Sequence, residues 1–187
     1  MFDFIVARHV MLHEQSLAPL FTKLTEEQLR RQPTATMNSV AWNMWHLLRI
    51  EDITLNRFVA NRPQVHSSGN WQQRLGIPFG HMGTAMALED VATLSQQINL
   101  HELANYQQAV YAQSAENLAA LDHQRLNYQW DEAHMRAVVA GEAVCIPTIT
   151  EGVINYWGAL SIGRFVLDYT QVHPNMHVGE IGVITGM

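Results

Sequence analysis

Residues 38–57, NSVAWNMWHLLRIEDITLNR, constrain the fold more than any other part of the chain. Asn38 and Ser39 are both favourable N-cap residues, and about five helical turns without Gly or Pro follow them. The apolar residues fall on three sides of this predicted helix, not on a single stripe. A helix that is apolar on so many sides is normally buried in the centre of its domain. The sequence therefore predicts a central helix around which the other elements pack.

His46 is the residue of this helix that does not fit a simple apolar core. Helical spacing places Asn43, Ile50 and Ile53 beside it, so we expect its imidazole on a largely apolar wall. A buried imidazole needs partners for both ring nitrogens. A hydrogen-bond network or a bound metal ion can supply them, and His46 alone does not decide between the two.

The composition indicates one globular domain, residues 1–187, and excludes several classes of function. A chain of 187 residues with 48% hydrophobic residues is long enough to bury a full core. The formal net charge of −6 argues against a general nucleic-acid binder, which needs a basic face. No apolar stretch approaches membrane-spanning length, and the N-terminal MFDFIVARHVMLHE lacks the basic start of a signal peptide. We expect a cytoplasmic protein without nucleic-acid or membrane partners.

Cysteine chemistry is not expected to contribute. Cys145 is the only cysteine, so neither an intrachain disulfide nor a cysteine-rich zinc site is possible. No basic residue stands near it in the sequence, and we interpret it as structural, not as a nucleophile. The ten histidines are the compositional outlier, and they indicate where chemistry is to be sought.

Four long helical segments predict an all-α four-helix bundle with long crossover loops. The segments are 2–24, 38–57, about 100–121 and 149–172. The connection 61–84 is rich in Gly, Pro and Ser, and a connection of that length often borders a site. Segment 122–147 has only a weak pattern. Its LNYQW and AVVA runs are compatible with short strands or with another helical turn.

Two pairs of histidines have a spacing of four residues, which places both rings of a pair on one helical face and suits a metal ion. His9 and His13 lie in the first helix, where exposed or helix-packing side chains are the alternative interpretation. His173 and His177 lie near the end of the chain. Pro174 between them either bends the helix or begins a new one, in which case His173 is its cap residue.

His46, His173 and His177 together would provide three imidazoles. Bundles commonly hold metal ions between facing helices. Three histidines with an open coordination position are the pattern of a catalytic zinc or nickel-type site. Spacing alone does not show that the three side chains converge.

Two motifs resemble those of the DinB/YfiT-like superfamily of four-helix-bundle proteins. The run AWNMWHLLRIED is similar to the family's second-helix motif, and HPNMHVGEI is similar to its closing motif. The RLGIPFG loop and the YQQAV stretch also occur in the family's order, so the resemblance covers nearly the whole chain. Carried over by position, it implies that His46, His173 and His177 bind a divalent metal, and that the protein is a homodimer.

The closing motif departs from the family pattern at two positions. Glu180 stands where Gln is commoner, and Pro174 is unusual inside the motif. Pro174 is adjacent to His173 and bears most directly on its role as a metal ligand. His9 or His13 could take that role instead.

The resemblance also implies thiol chemistry, because some family members use mycothiol, bacillithiol or glutathione at the metal. A cation held by three neutral imidazoles keeps its full charge, so a bound thiol deprotonates readily. The first hypothesis is therefore a metal-dependent S-transferase or isomerase that uses a low-molecular-weight thiol. The alternative is a non-catalytic dimeric helical module for binding or stress response. For the enzyme, Trp71 and Trp130 are the predicted apolar contacts of a substrate pocket.

Overall fold

The computed structural model describes residues 2–186, and within that range the secondary structure is entirely helical. The α-helices are α1 (Phe2–Met11), α2 (Leu20–Lys23), α3 (Glu26–Arg30), α4 (Val40–Glu51), α5 (Val65–Ser68), α6 (Trp71–Leu75), α7 (Leu88–Gln97), α8 (Leu100–Ala119), α9 (Glu132–Val139), α10 (Thr150–Gly158), α11 (Ile162–Leu167) and α12 (His173–Thr185). Short 3-10 turns occur at His123–Asn127 and Pro147–Ile149.

Three stretches of π-helix extend these α-helices. Leu12–Leu17 continues α1, Asp52–Ala60 continues α4, and Asp168–Val172 joins α11 to α12. The residues that flank each π segment have right-handed helical dihedrals, except Asn61 after the second, which is left-handed and ends that helix. Since π turns are rare and are frequent at functional sites, their positions indicate where function is to be sought.

Four long helical rods form the bundle, and they comprise residues 2–17, 40–60, 100–119 and 162–185. α4 packs against α8 and against α12, while α1 packs against α8 and against the π segment Asp168–Val172. These contacts close a ring of four rods, which confirms the predicted all-α bundle. Among the described helices, none is both long and apolar enough to cross a lipid bilayer.

The predicted central helix is confirmed in α4. The Ser39 side chain accepts a hydrogen bond from the backbone N–H of Trp42 at 3.0 Å, which caps the helix. All 12 residues of α4 are buried, as expected for a helix with apolar residues on three sides. Residues on its different sides therefore face different neighbours, and both histidine clusters described below use this helix.

The structure revises the predictions for three segments. The predicted helix 149–172 is broken, because α10 ends at Gly158 and α11 begins at Ile162 after the capping side chain of Ser161. Of the two alternatives for the LNYQW and AVVA runs, strands are wrong, and the helical alternative holds for AVVA, which lies at the end of α9 and in the turn after it. The first helix also ends earlier than predicted, since Pro19 separates the π segment from α2.

Candidate metal centre

His46 is held in α4 with one ring nitrogen already occupied. Its side chain is almost fully buried, and Nδ1 donates a hydrogen bond to the backbone carbonyl of Met82. The Trp42 indole stacks on the imidazole with ring centroids 4.6 Å apart. Because a carbonyl can only accept, the proton of neutral His46 lies on Nδ1, and Nε2 presents a free lone pair.

The Met82 carbonyl is positioned by close backbone packing in the long loop. Gly83 has φ of 90°, and a Cβ there would lie 2.5 Å from the Trp45 ring. Only glycine therefore fits this position. The Met82 N–H donates to the carbonyl of Val144 at 2.8 Å, which ties the loop to the segment after α9.

His173 and His177 come from consecutive turns of α12, and their Nε2 atoms lie 3.2 Å apart. α12 begins at His173, and both Val172 and His173 have right-handed helical dihedrals. Pro174 lies in the first turn of α12, where a missing N–H is tolerated. Pro174 therefore does not turn the His173 side chain away from His177.

His177 has two acceptors on its second ring nitrogen. Its Nδ1 lies 2.9 Å from Oδ1 of Asn43 and 3.0 Å from a carboxylate oxygen of Glu180. The Asn43 amide is fixed because its nitrogen donates to the Ser39 carbonyl at 3.1 Å. With Nδ1–H directed at two acceptors, Nε2 of His177 is also left with a free lone pair.

Burial keeps two of these rings neutral. Desolvation by burial, with the nearby His177, lowers the pKa of His46 to about 3, although its bond to Met82 acts in the opposite direction. Burial, together with His46 and His177, lowers the pKa of His173 to about 2. Neutral imidazole is the form that binds a metal, so these ligands do not have to lose a proton first at neutral pH.

The three histidines fit a divalent cation. Their ligand nitrogens all lie within 4.8 Å of one another, so one ion can reach all three. The acceptors on Nδ1 of His46 and His177 are the outer partners that metal-binding histidines normally have. The donor set of three imidazoles suits zinc or nickel.

A cavity of about 460 Å³ opens beside the three histidines. Ile50, Met82, Val153, Trp157 and Met176 supply part of its wall, which is predominantly apolar.

The structure corrects the predicted walls of this pocket. Trp71 and Trp130 are not part of the lining. Trp71 packs on Tyr106, with ring centroids 5.2 Å apart, and the Trp130 indole N–H donates to the carbonyl of Phe58 at 2.8 Å. The long loop contributes Met82 and Thr84 to the lining; other wall residues come from α10 and the π segment.

His9 and His13 form a different cluster. Both are fully buried and point at Glu51, so of the two interpretations exposure is wrong and packing between helices holds. They do not substitute for His173, which lies with His46 and His177. The role of Glu51 was missed by the sequence reasoning, as were the contacts of Asn43 and Glu180 with His177. The spacing of Glu180, three residues after His177, was the available signal.

The fold and this cluster define a class of protein: helical bundles in which histidines from two rods converge beside a cavity. Residues 10–144 match the family model described as the DinB superfamily, which covers well over half of the chain. The chain belongs to the DinB superfamily. The match includes His46 but ends before His173 and His177, whose convergence is seen in the geometry. A search of curated proteins finds no match.

Proposed function

We propose that the protein is a metal-dependent enzyme that activates a low-molecular-weight thiol at a zinc or nickel ion held by His46, His173 and His177. The reaction would be an S-transfer or an isomerisation. The observation that carries the proposal is the convergence of three ligand nitrogens beside an apolar cavity. An accessible position beside the ligands favours an enzyme over a non-catalytic module.

The chain's own residues prepare the site for this chemistry. The Met82 carbonyl and the Asn43 and Glu180 side chains orient two rings with their Nε2 lone pairs free. When bound there, a divalent cation would lower the pKa of a thiol in an open coordination position and so generate a nucleophilic thiolate at neutral pH. The apolar wall would exclude water from that position.

The cavity favours an uncharged or apolar electrophile. Arg164 lies in its wall, but its guanidinium donates to Asp168 at 3.0 Å, so that charge is balanced. Cys145 does not compete as the nucleophile, because it is buried and burial raises the pKa of its thiol. The thiol must therefore come from a small-molecule cosubstrate.

The test compares His46→Ala with His101→Ala, a control in which the imidazole is exposed. Elemental analysis of protein without an affinity tag should give stoichiometric metal for the wild type and the control, and a loss of the metal held by this cluster for His46→Ala. Full metal content in His46→Ala would show that the ligand assignment is wrong. His173→Ala and His177→Ala should match His46→Ala, because the structure brings all three together.

Thiol use is tested separately on the metal-loaded protein. Glutathione, bacillithiol or mycothiol is incubated with a model electrophile, and thiol consumption above background should disappear in His46→Ala. A cobalt-substituted sample should change its visible spectrum when the thiol binds. If metal is bound but no thiol alters that spectrum, a non-catalytic binding or stress-response module becomes the better account.

We also propose that the protein is a homodimer. Val172, Met176 and Val183 are large apolar side chains at or near the last helix, and each is more than half exposed. Apolar side chains concentrated in one region are typical of association surfaces. Light scattering at micromolar concentration should give about twice the chain mass of 21.2 kDa. A single chain mass across that range would exclude the dimer.

A further inference from the structure

We propose that His9, His13 and Glu51 form a second divalent-cation site, enclosed in the bundle and separate from the three-histidine cluster. His9 and His13 come from the first rod, and Glu51 is the last residue of α4. Their ligand atoms lie within 4.8 Å of one another, so one ion can contact all three side chains.

The spacing of the ligand atoms is that of atoms that share an ion. Nε2 of His9 lies 2.9 Å from one carboxylate oxygen of Glu51, and Nε2 of His13 lies 2.9 Å from the other. Two ligands at about 2.0–2.1 Å from one zinc ion lie about 3 Å apart at right angles and about 3.4 Å apart in a tetrahedron. The 2.9 Å contacts, which are also hydrogen-bond distances, need only a small adjustment to accept an ion. Both carboxylate oxygens face the histidines. Bidentate binding would therefore complete a closed site of two nitrogens and two oxygens.

The buried charge of Glu51 also favours a bound cation. Its side chain is 1% exposed, and within residues 2–186 its only ion-pair partners are the two histidines. A buried carboxylate costs several kcal/mol unless an opposite charge compensates it. The two histidine partners carry such a charge only when they are protonated. A divalent cation supplies the same compensation when both imidazoles are neutral.

The surroundings of the two imidazoles support this assignment. The Gln107 side-chain amide lies 3.0 Å from Nδ1 of His13, and the Tyr111 ring stacks on the same imidazole at 4.8 Å. Both contacts fix the ring. As placed, the amide nitrogen donates to Nδ1, and a rotation of the amide would let its oxygen accept from Nδ1–H, as the outer partner of a metal-binding histidine does. Nδ1 of His9 is buried without a hydrogen-bond partner among the described residues, so the cluster is not a complete hydrogen-bond network.

The positions of the π segments also support the second site. His13 lies inside the π segment Leu12–Leu17, and the π segment Asp52–Ala60 begins directly after Glu51. The third π segment ends directly before His173 of the first cluster. Each of the three π segments thus contains or adjoins a ligand, which is the distribution expected if these rare turns aim ligand side chains.

The experiment uses His46→Gln as the background, because that substitution removes a ligand of the first cluster only. Protein without an affinity tag is treated with EDTA, dialysed against zinc chloride and analysed for zinc per chain. We expect two zinc ions in the wild type, one in His46→Gln and none in His46→Gln/Glu51→Gln. Gln keeps the size of Glu51 but removes its charge, and far-UV circular dichroism checks that each variant is folded.

Two results would overturn the proposal. In one, His46→Gln binds no zinc; in the other, the double variant keeps the zinc that His46→Gln holds. If the double variant does not fold, titration of the EDTA-treated wild type with zinc chloride decides. Two equivalents support the second site, and saturation at one equivalent or fewer excludes it.

Discussion

The two histidine clusters use different sides of one helix and differ in charge and in access. His46 and Glu51 are five residues apart, or about 140° around α4. The His46 cluster contains three imidazoles and lines a cavity, whereas the Glu51 cluster contains a carboxylate and is sealed. Neutral ligands beside a cavity leave the charge of a cation available to a substrate. A sealed carboxylate offsets one of the two charges of the cation and holds it inside the core. From this difference we expect the first cluster to serve chemistry and the second to serve stability.

Replacement of Glu51 should have the largest effect on folding. Glu51→Ala leaves two buried histidines without their partner and opens a void, so we expect a loss of about 3–5 kcal/mol in the free energy of unfolding. Urea denaturation followed by circular dichroism measures it. Glu180→Ala is the matched control, because Glu180 also contacts a histidine but its side chain is 49% exposed. The control should cost less than about 1 kcal/mol. Similar losses in the two variants would remove the distinction between the clusters.

Replacement of Asn43 should lower the metal affinity of the first cluster without unfolding the protein. Asn43→Leu keeps the approximate size of the side chain but removes the oxygen that accepts from Nδ1 of His177. Loss of such an outer partner typically lowers metal affinity about 10- to 100-fold. Competition with a chromophoric chelator measures the zinc affinity. Gln107→Leu removes the amide that contacts Nδ1 of His13 and should leave the affinity of the first cluster unchanged. Equal effects of the two substitutions on that affinity would show that the clusters are coupled.

The pH dependence of stability should reveal the neutral imidazoles of the first cluster. The pKa of His46 is lowered from 6.5 to about 3 in the folded protein. Below pH 6.5 the unfolded chain takes up a proton that the folded chain does not bind until about pH 3. Stability is therefore highest above pH 6.5 and falls as the pH drops through that window. The slope is up to about 1.4 kcal/mol per pH unit for each such proton.

This prediction is checked by urea denaturation of metal-free protein between about pH 7.5 and about pH 5. Other histidines contribute to the total slope, so the informative quantity is the difference between the wild type and His46→Gln. The variant lacks one of the protons taken up on unfolding and should show a shallower slope. Identical slopes would mean that His46 is not held neutral by its surroundings.

The sequence predicts local features of this molecule better than contacts between distant segments. The α4 helix was predictable because its cap, its periodicity and the absence of Gly and Pro all agree. The break after Gly158 was missed, although Gly158 and the favourable N-cap residue Ser161 were available signals, because the apolar periodicity continues across them. His46, His173 and His177 were predicted as ligands from two motifs that resemble those of the superfamily. The Glu51 cluster depends on pairings across 42 and 38 residues, which no local pattern indicates. The contact of His46 with the Met82 carbonyl was equally unpredictable, because every residue has a backbone carbonyl and the sequence does not distinguish this one.

Glu180→Gln should have the smallest effect on zinc affinity. The substitution separates the charge of the carboxylate from its role as a hydrogen-bond acceptor. Glutamine keeps an oxygen that can accept from Nδ1 of His177 but carries no charge. Asn43 remains as the second acceptor, and the Glu180 side chain is half-exposed, so solvent screens its charge. We therefore expect a change in zinc affinity of less than about 10-fold, the lower limit for loss of an outer partner. The chelator competition used for Asn43→Leu measures it. A decrease as large as that of Asn43→Leu would show that the carboxylate charge, and not only its acceptor oxygen, increases the basicity of His177. In that case the first cluster would also depend on an acidic group, and its difference from the Glu51 cluster would lie in access alone.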